Sequence, residues 1–121
     1  MKNLLLTLLL ISPFSFADWG DVYYCQMTTL SETTLEGEQK SYKLEKFQFK
    51  LDQTKNAMVF GKQGYFQNVV LELREYISFP NQESWHAGDR FDRAYFGKGK
   101  FLYSMTANTG VMSVSANCDK F

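Results

Sequence analysis

The chain has one histidine, two cysteines, no net charge and no long hydrophobic run, and each scarcity excludes a class of function. With a single imidazole, His86, histidine-rich metal centres are ruled out. A serine or cysteine triad would have to be built around His86, and nothing in the sequence marks a nucleophile beside it. Two cysteines without a Cys-x-x-Cys spacing exclude both a thioredoxin-like redox motif and a four-cysteine zinc site. Thirteen basic residues balance thirteen acidic ones. Phosphate-backbone binding rests on clustered Lys and Arg, so the balance argues against a nucleic-acid partner. It also argues against anchoring to anionic lipid. The longest apolar run, Leu4 to Ile11, is too short for a membrane-spanning helix, which needs about 20 residues.

That run has another reading. Lys2, the apolar stretch and then Ser15-Phe16-Ala17 form the pattern of a secretory signal cleaved after Ala17. The expected organisation is therefore 1–17 as a leader and 18–121 as one β domain, periplasmic or extracellular. In an exported chain the two cysteines are expected to pair, joining Cys25 to Cys118. A bridge across so long a loop contributes roughly 4–5 kcal/mol in the chain-entropy treatment.

What the chain has in quantity is period-two alternation and aromatic rings. Tyr23, Cys25 and Met27 share one face of a strand. Met112, Val114, Ala116 and Cys118 share one face of the last. Between Tyr42-Leu44 and Phe47-Phe49-Leu51 the apolar phase flips, which predicts a β-bulge at Glu45-Lys46 that keeps all five side chains inward. Residues 52–56 read as a hairpin loop, AMVF as a short strand and Gly61–Gly64 as a turn. Over 69–79, Val69, Leu71, Leu73, Ile77 and Phe79 alternate as a strand, while Val69, Val70, Leu73, Tyr76 and Ile77 would also suit a helix stripe. The β-branched and aromatic content favours the strand. That reading places Glu75 on an apolar face, where a carboxylate needs a partner. Residues 80–90 read as a long connection. Phe91, Arg93 and Tyr95 then share a face, as do Phe101, Tyr103 and Met105, and turns fall at 97–100 and 108–110.

The fold expected is all-β: a small antiparallel up-and-down meander of six to eight strands, closed into a barrel or clam-like sandwich. The disulfide joins the first and last strands, which would otherwise be exposed edges.

Chemistry-bearing motifs are sparse. His86, Asp89 and Asp92 match no metal signature, and residues 52–56 lack the glycine and terminal glutamate of a calcium loop. We expect no metal, no cofactor and no enzymatic activity. The chain ends in Phe121, as outer-membrane barrels often do. Counting back by twos meets Asp119, Asn117, Ser115 and Ser113, which do not suit a lipid-facing strand, so membrane insertion is not expected. Two readings of function remain. In the first, a monomeric exported binding protein holds an apolar or aromatic small molecule inside the barrel or at its mouth, with Glu75 and Arg93 as the polar pair facing the ligand. In the second, a secreted interaction module, such as a hydrolase inhibitor, acts through a protruding 81–93 loop. The candidate site residues across both are Glu75, Trp85, His86, Arg90, Arg93 and Tyr95.

Overall fold

The computed structural model describes residues 17–74, 77–79 and 82–121, with only the backbone described at 77–79 and 82–83. Among the described residues there are ten strands and no helix: β1 (Val22–Thr34), β2 (Gln39–Ser41), β3 (Lys46–Asp52), β4 (Ala57–Gly64), β5 (Val70–Glu72), β6 (Ile77–Phe79), β7 (Gln82–Gly88), β8 (Asp92–Gly97), β9 (Lys100–Ala107) and β10 (Gly110–Lys120). Every pairing is antiparallel. The sheet runs β5-β4-β3-β1-β10-β9-β8-β7-β6, with β2 added to the side of β1. Leu73 then bridges to Ala87, and the Arg74 N–H donates to the His86 carbonyl at 2.7 Å, so the far ends of the sheet meet. Apart from β2 and β6, each strand neighbours the next in sequence. The result is a nearly closed up-and-down barrel.

Cys25 and Cys118 stand directly opposite each other in the β1–β10 ladder and are disulfide-bonded. Both point inward, so the covalent closure and the hydrogen-bonded closure coincide. The β1–β10 seam is the one that a meander must make with its two ends, and it pairs eleven positions. The opposite seam, between β5 and β7, rests on a single bridge.

An eight-stranded barrel has an interior just wide enough for side chains to fill, and here rings fill it. Phe49, Phe96, Phe101, Met27, Leu51 and Met58 are wholly buried. Phe101 lies 4.9 Å from Phe47 and 5.8 Å from Phe49, measured between ring centroids. Phe66, in the turn after β4, tucks against Phe47, Phe60, Phe101 and Tyr103. Trp19 meets Trp85 edge to face at 4.9 Å. Such contacts contribute beyond the area they bury.

Four local expectations are corrected. The phase flip before Lys46 is not a bulge: residues 42–45 are outside any strand, and Tyr42 and Leu44 are exposed. The Tyr42 N–H donates to the carbonyl of Leu30, the last buried residue of β1, so Tyr42 and Leu44 lie at the rim where the core ends. The bulge is in β1 itself, between Met27 and Thr29, and it switches the inward phase from Met27 to Leu30. Among the described residues of the expected 80–90 connection, Gln82–Gly88 are strand β7, whose Trp85 and Ala87 point into the core, and Asp89–Phe91 form the turn that follows. On β8 the inward residues are Ala94 and Phe96, which pair with Tyr103 and Phe101; Arg93 and Tyr95 face out. Among the described residues of 69–79 the strand reading stands over the helix, but as two three-residue strands, β5 and β6.

Candidate functional site

Outward-facing residues of four neighbouring strands form a shallow concavity of about 450 Å³ on the barrel wall. Register alone assembles it. His86 of β7 stands opposite Tyr95 of β8, and Tyr95 opposite Leu102 of β9. One step along, Arg93 stands opposite Ser104, and Ser104 opposite Ser113 of β10. The first row is an apolar and aromatic floor: the His86 and Tyr95 rings lie 5.3 Å apart, and Leu102 is 51% exposed, unusual for a leucine. The second row is polar, with one permanent cation. Cross-strand neighbours on one face sit about 5 Å apart, so the two rows offer a flat apolar strip edged by a guanidinium and hydroxyls.

Of the residues expected from sequence, the structure brings His86, Arg93 and Tyr95 together in this concavity. Trp85 is buried in the core, 5% exposed, and serves as structure. Arg90 lies exposed in the β7–β8 turn, outside the concavity. Glu75 lies outside the described residues. The expected Glu75–Arg93 pair facing a cavity is corrected in its second member, because Arg93 lies on the outer wall. Leu102, Ser104 and Ser113 were missed. A leucine between Phe101 and Tyr103 on β9 was the available signal, but a strand's outward face is read only once its inward one is known.

His86 Nε2 lies 3.3 Å from Ser84 Oγ, two residues back on the same strand. Ser84 is buried. No group of three His, Cys, Asp or Glu that could hold a metal occurs among the described residues.

A second cleft, of about 400 Å³, opens where β5 and the β7–β8 turn diverge. The Arg74 Nε–H spans it to the Gly88 carbonyl at 2.8 Å. On the turn side, Asp92 accepts from the Asp89 N–H at 3.0 Å and from the Tyr103 hydroxyl at 3.1 Å. Burial and the Asp92 charge push the Tyr103 phenol well above its ordinary range. Asp89 is held below the usual carboxylate range, chiefly by the Phe91 amide that donates to it at 2.9 Å.

The class defined by this geometry is a small, nearly closed antiparallel β-barrel with a ring-filled interior, a disulfide across its closing strands and open concavities on its wall. Comparison carries it no further: no family model, no curated protein and no solved structure matches the chain. The disulfide is consistent with a location outside the cytoplasm. No helix among the described residues is long and apolar enough to cross a membrane.

Proposed function

We propose that this chain is an exported binding protein that takes an apolar or aromatic small molecule on its outer wall. The observation that carries the reading is the His86–Tyr95–Leu102 row, bordered by Arg93. Burying an exposed leucine and apolar surface of the His86 and Tyr95 rings under a ligand is favourable by roughly 25 cal/mol per Å² of apolar surface. Arg93 adds a preference for an anionic group on that ligand, since a guanidinium pairs a carboxylate with two parallel hydrogen bonds. Export is supported by the leader pattern of residues 1–17 and by the disulfide. A binding role without catalysis is supported by the single imidazole and the buried partner hydroxyl.

Isothermal titration with naphthoate and with its neutral counterpart, naphthylmethanol, tests the reading. Both are expected to bind. Tyr95→Ala weakens both, and Arg93→Ala weakens naphthoate alone. Equal loss of both ligands in Arg93→Ala would remove the ion-pair component, and no binding of either would remove the reading.

A protein-interaction role is a second reading, favoured by one observation: Phe91 is 66% exposed beside Arg90 at the tip of the β7–β8 turn. Exposed aromatic and arginine side chains of this kind anchor interfaces.

A further inference from the structure

The cleft between β5 and the β7–β8 turn mixes charges of opposite sign in one concavity. Glu72 of β5 and Arg74 just after it stand on one side; Asp89 of the turn and Asp92, the first residue of β8, stand on the other. Among the described residues no ion pair joins Arg74 to these carboxylates. The guanidinium is tethered by its Nε–H to the Gly88 carbonyl. That leaves its two terminal nitrogens for another acceptor. Asp92 is committed to the Asp89 amide and the Tyr103 hydroxyl, which fixes the turn in place. Asp89 accepts from the Phe91 amide through Oδ1 and also interacts with Asp92, and a carboxylate, with about four lone-pair sites, keeps capacity for a further donor. The β5 wall beside these groups is mixed: Val70, 48% exposed, and Leu73 supply apolar surface, and Glu72 stands between them in sequence.

A simple anion entering this cleft would meet Glu72, Asp89 and Asp92, and a simple cation would meet Arg74. A ligand with both charges satisfies both walls. We propose that the cleft binds a zwitterionic α-amino acid with an apolar side chain. Arg74 takes the carboxylate through its terminal nitrogens, Asp89 takes the ammonium, and the side chain rests on Val70 and Leu73. The volume of about 400 Å³ lies in the range of small-molecule pockets and leaves room for the side chain. The site is separate from the outer concavity of β7–β10 and does not depend on a ligand there.

The test is a titration of the oxidised protein with L-leucine, leucinamide and N-acetylleucine, followed through the backbone amides of 70–73 and 88–92. L-leucine is expected to saturate these shifts. Leucinamide, which lacks the anion, and N-acetylleucine, which lacks the cation, are expected to bind at least about tenfold more weakly, a difference of about 1.4 kcal/mol. Arg74→Gln and Asp89→Asn should each abolish saturation, and Tyr95→Ala should leave it unchanged. Because Arg74→Gln also removes the tether to Gly88, Arg74→Lys provides the control: it keeps the charge and should retain weakened leucine binding. Equal binding of the three ligands, or no response of these amides to leucine in the wild type, would overturn the proposal.

Discussion

Replacing Cys25 and Cys118 together by alanine should leave the barrel folded and remove about 4–5 kcal/mol of its stability. The magnitude follows from the 93 positions that separate the two cysteines. Freeing the unfolded chain of so long a closed loop returns that much conformational entropy at room temperature. The native side of the equilibrium changes little. β1 and β10 pair at eleven positions without help from the bridge, so their ladder holds the seam. The sulfurs are 3% and 8% exposed, and alanine leaves only small voids, costing under about 1 kcal/mol each. Urea unfolding followed by far-UV circular dichroism measures the difference. With a slope of about 1.5 kcal/mol/M for a domain of this size, the midpoint should fall by about 3 M, and the slope should hold or rise because the freed denatured chain exposes more surface. A midpoint shift below about 0.5 M with the native spectrum intact would refute the reasoning. Closure would then depend on the ladder alone, and the bridge would be thermodynamically idle.

Phe101→Ala should destabilise the barrel by about 3–5 kcal/mol in the same assay, because the ring is wholly buried against Phe47, Phe49 and Phe66. Gly88→Ala should disrupt the β7–β8 hairpin: φ is +117° there, and an added Cβ would meet the Asp92 carbonyl. Loss of amide protection at Ala87 and Arg93, with protection kept at Cys25 and Cys118, is the expected exchange pattern. Alkali should unfold the protein in a defined window. Burial, with the Asp21 charge and hydrogen bond, pushes Tyr23 from 10.0 up to about 12. A folded-state pKa raised above the unfolded one gives stability that is complete below pH 10 and lost as pH rises through about 12. Two units correspond to about 2–3 kcal/mol, and Tyr23→Phe should flatten that part of a stability-against-pH curve measured by urea unfolding.

The closure of the fold was readable in the sequence, and for a physical reason. Cys25 and Cys118 sit in phase with the inward faces of the first and last strands, so pairing them states which strands must touch. The rims were less readable. Beyond Leu30, β1 leaves the barrel, and the alternation that normally marks a buried face stops carrying information; Tyr42 and Leu44 look like core by pattern and lie in solvent. In the same way, the polar residues around Trp85 made β7 resemble a loop, although Trp85 and Ala87 alternate as core. Tyr95 misled on β8, because an aromatic ring counts toward an apolar face whichever way it points. The outer concavity was only partly readable. His86, Arg93 and Tyr95 stood out as residue types, but their meeting with Leu102, Ser104 and Ser113 depends on the register of four strands. Register follows from packing and turn geometry, and single-residue patterns do not specify it.

The most direct measurement is a backbone amide shift map of the oxidised protein titrated with naphthoate. Binding on the outer wall should confine the perturbations to His86, Arg93, Tyr95, Leu102, Ser104 and Ser113, and Tyr95→Ala should erase them. Perturbations centred instead on the ring-filled interior around Phe66 and Phe101, or a spectrum that naphthoate leaves unmoved, would contradict the assignment of a binding surface to strands β7–β10.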